Sequence, residues 1–307
     1  MLRLVYAADE VCSTWSPSEL VTEVDGLPSA ESSGLAFWGT DLLTLADSSG
    51  NAELYLIDGD GEFARTIPIS GASNTDWEDL AVGPCDEGDC AWIADIGDNE
   101  GVRSEVTIWR VPLSDDTILA ATACPLVYDD GRAHDAEALL WFPDASVRVV
   151  TKSSTNTTVY RSEPLRCNGT AQTLTEEVEL DLEEPVTGGA VSADGSIVVL
   201  RGLTAGWVWR GCGIDWSAEP EALLFVGEDQ GEAVTVGADG TLSSSSEGDQ
   251  FELHELPCTE AEPLVCSDCG CSTGTEPAPA LLAVAALALR RRHTGIGRTR
   301  DGAMTPR

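Results

Sequence analysis

Glu78-Asp79-Leu80-Ala81, followed by apolar runs at 91–95 and 107–111, is the stretch from which the fold is read. It is a short apolar strand, a turn, a second strand, another turn and a third strand. Four more segments repeat that order. They open at Ser33-Gly34-Leu35-Ala36, Glu137-Ala138-Leu139-Leu140, Thr187-Gly188-Gly189-Ala190 and Glu232-Ala233-Val234-Thr235. The five openings lie 45, 59, 50 and 45 residues apart, which is the length of a four-stranded propeller blade. In three segments the first turn carries Asp, as Pro143-Asp144, Ala193-Asp194-Gly195 and Ala238-Asp239-Gly240. Asp and Gly suit it because both tolerate tight-turn dihedrals.

Second strands are expected at 42–47, 91–95, 147–152, 197–201 and 242–247. The third strands each bring one bulky residue, Tyr55, Trp109, Tyr160, Trp209 or Leu253, as packing between blades requires. Outer strands follow at 63–70, 124–128, 178–182 and 221–226, but the fifth segment turns polar after Cys258. Leu20-Val21-Thr22-Glu23-Val24 is a strand without a segment of its own. Pairing it with 251–256 closes the ring and removes an exposed edge. The expected fold is therefore all-β, a β-propeller of five four-stranded blades closed by an N-terminal outer strand, plus a C-terminal apolar helix. A β-sandwich is the alternative, and it leaves the period unexplained.

The 307 residues carry a net charge of -36 from 53 acidic and 17 basic groups. Six of the basic residues stand at or beyond Arg290, so the rest of the chain is more acidic still. Such a surface repels phosphate backbones and anionic lipid, which excludes nucleic acid as a partner. Most of these carboxylates are read as a solvated face. Ten cysteines without a paired CxxC pattern point to disulfides and an oxidising compartment. Cys85 and Cys90 flank Asp86-Glu87-Gly88-Asp89 and suit a stapled hairpin. Met1-Leu2-Arg3-Leu4-Val5-Tyr6-Ala7-Ala8 reads as the last part of an export signal whose start lies upstream.

Equivalent repeat positions meet around a propeller axis. Ser33, Glu78, Glu137, Thr187 and Glu232 make one such ring, and Asp47, Asp95, Lys152, Arg201 and Glu247 a second. Asp76, His134 and Asp135 stand just upstream of the first ring. Lys152 is the sole lysine of the chain and falls on a ring position. One reading is an ion network that fills the channel, since buried charges must be paired whatever their use. The other is a site in which Glu78, Glu137, Glu232 and Asp95 hold a hard cation, calcium, through oxygen. Lys152 and Arg201 then meet an anionic or carbonyl group of a ligand, and His134 beside Asp135 serves as a general base. Asp95-Ile96-Gly97-Asp98-Asn99-Glu100 is a further oxygen-rich loop open to calcium. The sequence has no GxSxG elbow, HExxH helix or phosphate loop.

Three runs carry a resemblance: Asn74-Thr75-Asp76-Trp77-Glu78-Asp79-Leu80-Ala81-Val82 with Ala94-Asp95-Ile96-Gly97-Asp98-Asn99, then Asp135-Ala136-Glu137-Ala138-Leu139 with Val150-Thr151-Lys152, then Gln230-Gly231-Glu232-Ala233-Val234 with Ser246-Glu247-Gly248. Together they resemble the secreted bacterial propellers of the phytase-like, esterase-like group. The resemblance covers about residues 30–256 and implies a charged central site. Ser33 and Thr187 depart from it by interrupting the acidic ring.

Residues 259–279 have a linker composition, rich in Cys, Glu, Ser, Thr, Gly and Pro. An apolar run at 280–289 and Arg290-Arg291-Arg292 follow. The order resembles the C-terminal sorting signal of myxobacteria and related Gram-negative bacteria. That likeness implies processing and lipid attachment at Cys271, with Cys269 next, and display on the outer membrane. The expected organisation is a residual export segment at 1–18, the propeller at 19–258, the linker at 259–279, the sorting helix and Arg cluster at 280–292, and a disordered tail at 293–307. Such a monomer touches membrane through its tail alone. Three functions stay open: a module for a small-molecule or surface ligand, a cation-dependent hydrolase of phosphoesters, esters or lactones, and a structural propeller.

Overall fold

A computed structural model describes residues 10–29, 32–47, 50–228, 230–247 and 250–263. All belong to one compact unit, Met1–Cys269; the second unit, Gly270–Arg307, lies outside the described residues. So do the linker beyond Pro263, the apolar helix, the Arg cluster, and Cys269 and Cys271. Among the described residues no helix is long and apolar enough to cross a membrane.

Every described element is a strand. The chain begins with β1 (Glu10–Trp15) and β2 (Glu19–Glu23). A first antiparallel meander follows: β3 (Ser32–Trp38), β4 (Asp41–Ala46), β5 (Glu53–Ile57) and β6 (Phe63–Ser70). The second is β7 (Trp77–Cys85), β8 (Gly88–Asp95), β9 (Val106–Pro112) and, after the short β10 (Leu119–Ala120), β11 (Thr122–Tyr128). The third is β12 (Ala136–Trp141), β13 (Val147–Thr151), β14 (Thr157–Arg161) and β15 (Gln172–Leu180). The fourth is β16 (Gly188–Val191), β17 (Ile197–Arg201), β18 (Ala205–Arg210) and β19 (Glu221–Leu224). Finally β20 (Gln230–Val236), β21 (Leu242–Glu247) and β22 (Glu252–Leu256) take β2 as their fourth strand, and β23 (Cys258–Pro263) pairs with β1.

The fold is propeller-like. The leading strands β3, β7, β12 and β16 each pack against the next, β16 against β20, and β20 back against β3. A leading strand therefore has neighbours on both faces and reads as a continuous apolar run: β12 is buried from end to end. The outer strand β15 instead alternates, with water on one face. Hydrophobic clusters fill the spaces between meanders. Leu43, Leu45 and Leu54 meet Trp77 and Ile93, for example, and Leu35 and Ile57 meet Ala233 and Phe251. Glycine is required where leading strands come closest: a Cβ on Gly34 would lie 2.8 Å from the Leu80 nitrogen.

Closure follows the sequence reading, because β2 pairs antiparallel with β22 and the Val24 amide donates to the Phe251 carbonyl. Other features were not anticipated. Outer strands β11 and β15 pair in parallel, merging two meanders into one eight-stranded sheet. Residues 10–15, assigned to an export remnant, and 258–263, assigned mostly to a linker, form a two-stranded sheet of the folded unit. Their short mixed runs, with no continuous apolar stretch, hid them. Cys12–Cys258 crosslinks that sheet, Cys85–Cys90 staples the β7–β8 hairpin as expected, and Cys124–Cys167 forms a third bridge. Cys212 is disulfide-bonded as well.

Candidate functional site

The first ring owes its geometry to backbone irregularity. The β3–β4, β7–β8, β12–β13 and β20–β21 ladders each shift register at one place, at Ser33, Glu78, Glu137 and Glu232. A bulge of this kind re-aims the side chain it contains. All four residues are buried, and so is Thr187, whose hydroxyl donates to the Gly231 carbonyl.

The carboxylates gather on one side of the ring. Asp47, Asp76 and Glu78 each offer an oxygen, and these three oxygens lie within 4.8 Å of one another. Glu137 is the hydrogen-bond partner of Glu78 and accepts from Lys152 Nζ at 2.6 Å. The ammonium is not sealed in, for 39% of the Lys152 side chain is exposed. Glu232 accepts from Gln230 Nε2 at 2.9 Å, and its charge reaches Lys152. Asp135 accepts the Asp98 amide at 2.7 Å, while its carbonyl accepts the Lys152 amide.

Burial pushes Glu78 up to about 11, assisted by the charges of Glu137, Asp47 and Asp76. Burial raises Glu137 too, against the pull of Lys152. The Lys152 ammonium favours the charged form of Glu137, whereas the acids around Glu78 disfavour its own. Asp76 is raised by burial and by Asp47, against Arg103. Burial opposes the charge of Lys152, but Glu137, Glu232 and Glu78 outweigh it and hold the amine above its usual value.

Several expected ligands are committed elsewhere. Asp95 accepts from Arg103 Nη2 at 2.8 Å and Trp109 Nε1 at 3.2 Å, so its oxygens are spent on N–H donors instead of facing a cation. Asp98 takes the Val102 and Arg103 amides of its own loop at 2.9 and 2.8 Å. Arg201 is fully buried and cannot reach a ligand. It pairs with Glu228 at 2.8 Å, donates to the Ala233 carbonyl at 3.1 Å, and lies over the Phe225 ring. Burial draws its pKa down against the pull of Glu228. His134 contacts Asp130 at 3.0 Å and the Tyr160 hydroxyl at 3.1 Å, not the carboxylate group, so a general-base role there loses its geometric footing. The Glu247 side chain lies outside the described residues.

Other residues build the site without having been singled out. Asn74 donates to the Ala46 and Asp47 carbonyls and accepts the Trp77 amide, which ties Asp47 to the start of β7. Gly97 lets the backbone approach the acids: a Cβ there would overlap Glu78 Oε1 and the Asp76 carboxyl. Arg103 holds that loop by donating to the Gly97 and Asp95 carbonyls. Asp79, fully buried, accepts the Leu80 and Leu139 amides at 2.8 Å each and that of Gly189, joining three leading strands. The Asn74 and Gly97 signals were present in the motif runs; Arg103 stands in a polar stretch with nothing to mark it.

No family model matches the chain, and no curated protein does. Among solved structures it is similar to the PQQ-bound form of an aldose sugar dehydrogenase from Streptomyces coelicolor, at 14% identity and a TM-score of 0.46. That likeness covers 81% of this chain and 99% of the other. The cofactor and substrate class in that description are the dehydrogenase's own.

Proposed function

We propose that this chain is an exported five-bladed propeller, monomeric and held at the cell surface, whose central funnel binds calcium and through it a small-molecule or surface ligand. The observation that supports the reading is the Asp47–Asp76–Glu78 group beside Glu137 and Lys152. Calcium takes oxygen ligands at about 2.3–2.6 Å, so oxygens on opposite sides of one ion stand roughly 5 Å apart. Three oxygens within 4.8 Å fit that requirement. Asp47, Asp76 and Glu78 would hold the ion, which supplies a positive charge for an oxygen of the ligand. Calcium takes 6–8 oxygens, so such a site keeps positions for ligand or water. Lys152 orients the anionic or carbonyl group, its ammonium steadied by Glu137 and still reached by water. A cation bound there would favour the charged form of Glu78.

The half-exposed ammonium beside the carboxylates also favours a second reading, cation-dependent hydrolysis of a phosphoester, ester or lactone. Turnover of such a panel, lost in Asp76→Asn, favours the hydrolase. Calcium-dependent ligand binding without turnover favours the binding module. Calcium titration by calorimetry tests both: the wild type is expected to show one site more than Asp76→Asn/Glu78→Gln. Equal heats from the two proteins contradict both readings. Surface display rests on the cysteine-bearing spacer, short apolar run and three arginines. Intact-mass analysis of surface-extracted protein tests it, a form ending near Cys271 and bearing lipid being expected. A mature form that keeps Arg290–Arg292 contradicts it.

A further inference from the structure

The strand that closes the ring is poorly held by its own side chains. Along β2 every residue is exposed or half-buried, and Leu20 and Val21 are 51% and 50% exposed. Glu19 stands opposite Glu255 and Glu23 opposite Glu252 on β22, and like charges directly opposite one another destabilise a pair of strands. The neighbouring β1–β23 sheet is acidic too, with Val11 opposite Glu262 and Thr14 opposite Glu260. Its anchors are few: Val11 and Cys12 enter the cluster of Val199, Val234 and Leu256, and Trp15 Nε1 donates to the Gly240 carbonyl at 2.7 Å. Among the described residues one covalent tie crosses this weak seam. Cys12–Cys258 spans 246 residues, whereas Cys85–Cys90 spans 5 within a single hairpin.

We propose that Cys12–Cys258 is a redox-sensitive lock on ring closure, and that a dithiol reductant frees residues 10–24 from the seam while the other meanders stay folded. Cys12 is buried and Cys258 half-buried, so attack falls on Cys258 Sγ. A reductant thiolate forms a bond to that sulfur, the Cys258–Cys12 bond breaks, and Cys12 leaves as a thiolate that takes up a proton. The second reductant thiol then displaces Cys258, so the dithiol is oxidised by two electrons and the bridge reduced by two. Once released, β2 has its own hydrogen bonds and the flanking contacts of Ser18 with Val226 and of Val24 with Phe251 against carboxylate repulsion.

Hydrogen exchange of the full chain, read by mass spectrometry before and after mild dithiol treatment, tests the lock. Exchange in 10–24 and 252–256 is expected to rise at least tenfold, with 136–161 unchanged. Cys12→Ser/Cys258→Ser should reproduce the change without reductant, and Cys85→Ser/Cys90→Ser should not. If the first double variant fails to fold, the treated wild type decides alone. Unaltered exchange at the seam despite alkylation of Cys12 and Cys258, or an equal rise in every strand, overturns the proposal.

Discussion

Lys152 follows the second strand of its meander and Arg201 ends the equivalent strand of the next, yet one is partly in water and the other wholly enclosed. Truncating Arg201 to Ala leaves Glu228 charged and buried, which costs about 3–5 kcal/mol. Lys152→Ala leaves the buried Glu137 without its ammonium, but the exposed lysine vacates a path for water, so the cost is smaller, about 1–3 kcal/mol. Denaturant unfolding of the two variants should return that order, and equal losses would contradict the placement of Arg201. A second residue-scale expectation concerns pH. Glu78, Glu137 and Asp76 are all raised in the folded protein. The stability that comes from their neutral forms is complete below the unfolded pKa of about 4–4.5 and is lost as pH rises toward the folded values. The metal-free protein should therefore weaken as pH increases above that range, and Glu78→Gln should flatten the profile; an unchanged slope would refute the assignment. The sequence made Lys152 legible because a lone lysine on a repeat position is conspicuous. It did not separate Arg201 from Lys152, since burial depends on Glu228 and Phe225, which belong to a different stretch of chain.

Strand order was readable at the scale of elements because leading strands are buried on both faces and outer strands on one. The missing fourth strand of the last segment pointed directly to β2 as its replacement. The β1–β23 pair was not readable, because short mixed runs of Ser, Thr and Glu have neither a period of two nor a continuous apolar stretch. Bulges at Ser33, Glu78, Glu137 and Glu232 were equally hidden, for a bulge is a relation between two strands and not a property of one. The opposed acids of β2 and β22 yield a prediction at this scale. Glu19→Lys and Glu23→Lys should each stabilise the protein by about 0.2–1 kcal/mol, because repulsion becomes attraction. The gain should shrink in high salt. Unfolding midpoints that fall, or a gain indifferent to salt, would remove the repulsion from the account of the seam.

Over the whole molecule the charge of -36 governs how the proposed calcium site can be tested. It draws cations toward every face, so bulk uptake of calcium does not by itself identify the funnel. The bulged leading strands and the close approach allowed by Gly97 are what distinguish Asp47, Asp76 and Glu78 from the solvated acids elsewhere. Position, not stoichiometry, is the decisive quantity. Crystals grown with calcium and measured at long wavelength would locate the ion by its anomalous scattering. A peak about 2.3–2.6 Å from oxygens of Asp47, Asp76 and Glu78 is the result expected. Calcium peaks confined to surface carboxylates, with Glu78 still hydrogen-bonded to Glu137 and no ion beside it, would contradict the reading.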